Sequence, residues 1–285
     1  MSNDNKYGFT DAELKQLTTI YQPDLFKNKV LLVTGAGSGI GKAIAFLFAR
    51  LGATLVICGR DQKKIDEAGE QLKTFGVEVL AKSVDIRDPD QAAQLMTDVW
   101  ARFGRLDALI NNAGGQFPKP AMDISPNGWR AVVDNNLNGT WFMMQAAARQ
   151  WRDHEQQGNI INIVMVVDRG ICHVTHSVAA RAGIIYASKS AAVEWAPYNI
   201  RINCIAPGVI ESNGFNFYPD DAVKNFKRAN PMLKTGNAHD IAQAVVYLAS
   251  EASSFITGET INIDGGGALW GDYWGTGQKP EYFCE

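Results

Sequence analysis

Between Lys29 and Leu51 an apolar run of strand length, KVLLVTG, passes through a glycine-rich turn directly into a segment whose Ile40, Ile44, Leu47, Phe48 and Leu51 recur at helical spacing. A strand that enters a helix through so short a turn has few folded solutions. The helix must pack back over the sheet and deliver the next strand parallel to the first. The chain then repeats the pattern. Strand ATLVIC precedes a helix from Asp61 to about Phe75, and strand VEVLAKSV precedes the helix carrying Ala92, Leu95, Met96, Val99 and Phe103. Strand DALIN leads into a long helix ending near Trp151, strand NIINIVMVV into a helix from about His176 to Trp195, and strand RINCIA into an irregular stretch from Glu211 to about Asn237. Helix HDIAQAVVYLAS and strand TINID close the series.

This alternation predicts an α/β protein, a Rossmann-type doubly wound parallel sheet in three α/β/α layers. With 285 residues, 46% of them hydrophobic, the chain fills one large core. The reading divides it into an N-terminal arm (1–27), the main domain (28–268) and an aromatic C-terminal tail (269–285). In the arm, Thr10 and Glu13 have capping-box spacing ahead of a short helix. A net charge of -3 supplies no field for nucleic acid or an anionic membrane, so a small-molecule partner is expected. Cys58, Cys172, Cys204 and Cys284 lie far apart, without a C-x-x-C pair, as in reduced cytosolic proteins. The polar start MSNDNKYGFTDAELKQ has no signal-peptide core, Arg50 interrupts the apolar stretch around it, and there is no SKL ending. The expectation is a cytoplasmic protein without membrane insertion.

In Thr34-Gly35-Ala36-Gly37-Ser38-Gly39-Ile40-Gly41, glycines between strand and helix let the backbone approach a pyrophosphate at the helix N-terminus. The spacing is TGxxxGxG, and four further segments accompany it: Asp85-Ile86, Asn111-Asn112-Ala113-Gly114, Asn136-x-x-Gly139 and Ala206-Pro207-Gly208-Val209-Ile210. From about Lys29 to Gly267 the chain resembles the short-chain dehydrogenase/reductase family. The resemblance implies a nicotinamide cofactor held by Gly35, Ser38, Gly39, Ile40, Gly41, Asp85, Ile86, Asn112, Ala113, Gly114, Pro207, Gly208, Ile210 and Ser212. At the end of the second strand, where an NAD site would present an acid, Gly59 stands instead. Arg60 follows and suits a 2′-phosphate, which points to NADP(H).

The family's Tyr-x-x-x-Lys pair is missing in register. Tyr186 and Lys189 are one residue too close together and misplaced relative to Pro207. The family's lysine stands 26 positions before that proline, which reaches Arg181; the tyrosine place is then Ser177, and the strand-five serine falls at about Met165. Of the usual four only Asn136 remains. The stretch His176-Ser177-Val178-Ala179-Ala180-Arg181-Ala182-Gly183 resembles the family's trans-2-enoyl-CoA reductase branch, with 2,4-dienoyl-CoA reductases and citronellol/citronellal dehydrogenase-like members as further relatives.

A serine hydroxyl cannot replace a tyrosine as acid or base near neutrality, but it can donate a hydrogen bond. This favours NADPH-dependent reduction of an enoyl-CoA double bond, with Ser177 and Asn136 holding the thioester oxygen, Arg181 on the nicotinamide ribose and near the enolate, and His176 as proton donor. A carbonyl/alcohol oxidoreductase acting on a terpenoid or 3-oxoacyl substrate, and a non-catalytic dinucleotide-binding protein, are the alternatives. Cys172, His173 and His176 lack a nearby carboxylate pattern, so no metal is expected. Trp129, Trp141, Phe142 and Trp195 read as core or interface residues. The segment GFNFYPDDAVKNFKRANPM lies where the family places its substrate-covering loop: its aromatics would cover an acyl chain, and Lys224, Lys227 and Arg228 would meet a CoA phosphate or form a solvated face. The tail from Trp270 to Phe283 is expected to pack on a neighbouring subunit or over the cleft, and the family resemblance implies a homotetramer.

Overall fold

The computed structural model describes residues 7–218 and 220–270. Its seven-stranded parallel sheet has the order β3-β2-β1-β4-β5-β6-β9. The strands are β1 (Val30–Thr34), β2 (Thr54–Gly59), β3 (Val79–Ser83), β4 (Ala108–Asn111), β5 (Gly158–Ile163), β6 (Ile200–Pro207) and β9 (Thr260–Ile263). Every residue of β1 is buried, as a central strand covered on both faces must be. Its side chains alternate. Leu31 and Val33 join one apolar cluster, with Ile44, Leu47 and Phe48 of α2 (Gly39–Arg50) and Val245 of α9 (Ala238–Ala249). Leu32 joins the other, with Leu95 and Val99 of α4 (Pro89–Phe103) and Met144 and Trp151 of α6 (Gly139–Asp153). The result is the three-layer architecture expected from the sequence, and the order reverses between β1 and β4, where such sheets open a crevice at their carboxyl edge.

The remaining helices are α1 (Asp11–Gln16), α3 (Gln62–Lys73), α5 (Pro126–Val133), α7 (Thr175–Glu194) and α8 (Asp220–Asn225). α1 begins with the full capping box: the Glu13 amide donates to Thr10 Oγ1 at 3.3 Å, and the Thr10 amide to Glu13 Oε2 at 2.7 Å.

Two sequence expectations are corrected. The long helix ending near Trp151 is interrupted by a π turn at Asp134–Asn138, centred on Asn136. The Asn136 side chain donates to Val132 O at 2.9 Å and to Gly115 O at 2.7 Å, so the helix widens where it is tied to the neighbouring loop. The stretch from Glu211 to Asn237 is more ordered than its sequence implies: β7 (Ile210–Glu211) pairs in parallel with β8 (Gly236–Asn237), and α8 lies between them. The tail beyond Trp270, with Cys284, lies outside the described residues. Among the described residues no helix is long and apolar enough to cross a membrane.

Candidate active site

At the switch point the turn after β1 is folded against the loop after β4. Gly35 and Gly39 have φ of +68° and +55°, which L side chains adopt only under strain. A Cβ on Gly35 would stand 2.9 Å from Ala113 Cα, and one on Gly41 would overlap Asn112 Nδ2 and the Gly35 carbonyl. Asn112 clamps the turn from behind, donating its amide to Thr34 Oγ1 at 3.0 Å and its Nδ2 to Thr34 O at 3.0 Å, while the Ala113 amide reaches Thr34 Oγ1 at 2.9 Å. Ser38 is the N-cap of α2 but forms no capping bond, and the first turn of α2 has no acidic residue. The helix therefore presents unshared N–H groups and its positive end outward from a floor of bare backbone. Ser212 Cβ lies 3.9 Å from the Cβ position of Gly39, brought there by the segment that leaves β6 at Pro207 and starts β7 at Ile210. Gly208 passes Asp264 so closely that a Cβ would stand 2.7 Å from its Cα. This cradle fits a dinucleotide pyrophosphate.

At the end of β2, Arg60 is exposed, and among the described residues no carboxylate forms an ion pair with it. Asp85 is already engaged. Its carboxylate accepts from Arg87 Nε at 2.9 and 3.0 Å, and the Arg87 guanidinium holds it below the usual carboxylate range. The Asp85 side chain thus reaches a cofactor only by sharing acceptors that Arg87 occupies. Ile86, by contrast, is buried against Gly139 of α6.

On the other side of the crevice, α7 places Arg181 beside Gly114 and Asn136. Nη1 donates to the carbonyl of Ile163, and Nη2 fills the space a Gly114 side chain would need. Arg181 lies in dense packing, and among the described residues no carboxylate pairs with it. Burial lowers its pKa to about 10, leaving a charged guanidinium at neutral pH. One turn earlier Ser177 is buried, its Oγ 3.7 Å from Met165 Sδ, a weak partner that leaves the hydroxyl without a strong acceptor. His176 is also buried. Its Nδ1 accepts from the Ser177 amide at 2.9 Å, its Nε2 has no hydrogen-bond partner among the described residues, and its ring meets the edge of Phe117 at 4.6 Å between centroids.

Asn136 requires a correction. Its amide nitrogen donates to Gly115 O and Val132 O, and its Oδ1 accepts from the Gly115 amide at 3.0 Å. With both protons used, the side chain cannot donate to a thioester oxygen. It ties the Gly115 backbone to the helix instead, the bridging role that the sequence also allows for an asparagine at this position.

Tyr186 is 71% exposed, and the ammonium of Lys189 lies over its ring at 5.0 Å, so this pair occupies the outer face of α7. Trp141 packs against Trp195 at 5.9 Å, and Trp129 is 40% exposed. Among the described residues no three His, Cys, Asp or Glu side chains converge as metal ligands would. The loop aromatics pack on one another: Phe226 contacts Phe215 at 4.9 Å and Tyr218 at 5.3 Å. Sequence reasoning missed the Ile163 carbonyl, Phe117 and the proximity of the N-terminal arm, all supplied by segments remote in the chain.

A doubly wound sheet with a glycine cradle at its switch point and a packed guanidinium, Arg181, across from it is the arrangement of a dinucleotide-dependent oxidoreductase. The comparisons agree. Residues 35–267 match the family described as Enoyl-(Acyl carrier protein) reductase, and the chain belongs to the short-chain dehydrogenase/reductase family of nicotinamide-dependent enzymes. It is 40% identical over 245 residues to a probable 2,4-dienoyl-CoA reductase [(2E)-enoyl-CoA-producing] of Bacillus subtilis (strain 168), covering 84% of this chain and 96% of that one. It is 35% identical over 268 residues to a peroxisomal 2,4-dienoyl-CoA reductase [(3E)-enoyl-CoA-producing] of Danio rerio, covering 91% and 88%. A solved citronellol catabolism dehydrogenase of Pseudomonas aeruginosa PAO1 superposes with a TM-score of 0.78 at 32% identity, covering 88% of this chain and 99% of that one.

Proposed function

We propose that the chain is an NADPH-dependent reductase of a carbon–carbon double bond conjugated to an acyl-CoA thioester, 2-enoyl or 2,4-dienoyl. The observation that supports this is the arrangement on α7: Ser177 and Arg181 face inward, toward Met165 and the Ile163 carbonyl, while Tyr186 faces outward. The bound coenzyme would supply the hydride. Reducing a ketone leaves charge on an oxygen that must itself be protonated, and a serine hydroxyl is too weak an acid for that. Hydride addition to a conjugated thioester sends the electron pair to the thioester oxygen as an enolate or dienolate, while the proton goes to carbon. The oxygen then needs only fixed donors. Ser177 Oγ–H is one, worth about 3 kcal/mol in the transition state. Arg181 adds a positive charge beside the ribose; His176, whose Nδ1 accepts the Ser177 amide, is a neutral imidazole that can offer a hydrogen bond from Nε2 but not a proton, so the carbon takes its proton from water. Arg60 takes the 2′-phosphate. The names of the Bacillus and Danio relatives support the thioester class.

The test is NADPH consumption with crotonyl-CoA, 2,4-hexadienoyl-CoA and acetoacetyl-CoA. Turnover with either conjugated thioester but not the ketone is expected, and Ser177→Ala and Arg181→Ala should each lower kcat about 100-fold. Turnover with acetoacetyl-CoA alone would favour a second reading, a carbonyl/alcohol oxidoreductase, which the likeness to the citronellol catabolism dehydrogenase keeps open.

A further inference from the structure

A cleft of about 220 Å³ lies against the glycine turn, and one of its walls belongs to the N-terminal arm. Phe9, Thr10 and Asp11 face Ser38 and Lys42 of the turn and helix α2, with Ser212 closing the far side. Asp11 forms an ion pair with Lys42, which holds the ammonium at the rim. Gly8 comes so close to Asn213 that a Cβ would stand 2.9 Å from its Oδ1, and the Tyr7 ring meets Phe215 edge-on at 5.6 Å. The arm is anchored behind this wall. Leu14 is buried in the main core, Lys15 Nζ donates to Gln71 Oε1 at 3.1 Å, and the Tyr21 hydroxyl donates to Gln243 O at 2.9 Å. Residues about two dozen positions before the glycine turn are therefore built into its mouth.

We infer that residues 7–11 form the outer wall of the pyrophosphate site. The inference rests on the dinucleotide reading and extends it to a segment outside the family match, which starts at residue 35. A diphosphate over the first turn of α2 without this wall would face open water, which weakens its attraction to the helix N-terminus. With the wall in place, water is excluded from one side and Lys42 is fixed close by. The contacts of Gly8 with Asn213 and Tyr7 with Phe215 hold the segment that carries Ser212. The arm should therefore matter to ligands with a pyrophosphate and not to those that reach only the Arg60 end.

Two variants test this: a deletion through Phe9 that keeps Thr10, Asp11, Leu14 and their anchors, and Phe9→Ala in the full chain. Calorimetric titration with NADPH and with adenosine 2′,5′-bisphosphate, which has no pyrophosphate, gives the readout. The expected result is an NADPH Kd raised about tenfold by the deletion and about threefold by Phe9→Ala, about 1.4 and 0.65 kcal/mol, with the bisphosphate Kd within about twofold of wild type. Equal NADPH affinity in a folded variant, or equal weakening of both ligands, overturns the inference while leaving the cofactor reading intact. A full-length protein that binds neither ligand overturns both. If the deletion does not fold, Phe9→Ala decides alone.

Discussion

Ser177 Oγ of α7 stands 3.7 Å from Met165 Sδ, two residues beyond the end of β5. This contact brings together the two positions that the count back from Pro207 proposes for the family's tyrosine and serine. Arg181 follows one turn later beside Asn136, and the Tyr186–Lys189 pair is carried out to the surface.

The first prediction concerns that surface pair. Tyr186→Phe and Lys189→Ala should each leave kcat and KM with 2,4-hexadienoyl-CoA within about twofold of wild type, since both side chains lie on the exposed face of α7. A large loss of kcat in either would place the chemistry on the displaced pair and refute the register.

Arg181 predicts a trade between stability and function. Burial lowers its pKa to about 10, so the native state carries a cost for the charged form at neutral pH, and that cost is relieved only as pH rises through 10. Arg181→Met should raise the Tm of the protein without coenzyme by about 2 °C while cutting kcat at least about 100-fold. A lower Tm with normal turnover would contradict both halves.

At the nucleotide end, Arg60→Ala should lower the preference for NADPH over NADH at least about tenfold, mainly by raising Kd for NADPH. Its Tm should match wild type, because the side chain is exposed. An unchanged coenzyme ratio would remove Arg60 from the 2′-phosphate site.

In the glycine turn, Gly41→Ala should abolish measurable NADPH binding and destabilise the fold by about 1–3 kcal/mol in urea titration, because the added methyl overlaps Asn112 Nδ2 and the Gly35 carbonyl. Wild-type affinity in this variant would mean that the turn can open.

Alkaline pH tests the core. Burial pushes the Cys58 thiol from its ordinary 9.0 up to about 12, so above 9 the unfolded chain loses a proton that the native state keeps. Stability from this group is complete below 9 and falls as pH climbs toward 12. Cys58→Ala should melt lower than wild type at pH 8 but lose less Tm between pH 8 and 10.5; parallel losses would exclude the thiol as the cause.

The strand and helix order and the glycine turn were legible in the amino-acid sequence, as was the register that proposes Ser177 and Arg181 as site residues. Apolar periodicity and glycine spacing are local properties, and a family register can be counted from Pro207. Only the tertiary structure decided that Asn136 grips both the amide and the carbonyl of Gly115, and that Phe9–Asp11 stand at the mouth of the glycine turn. Those facts depend on where separate segments cross once the core has closed, and neither spacing nor composition encodes the distance between groups that only long-range packing brings together.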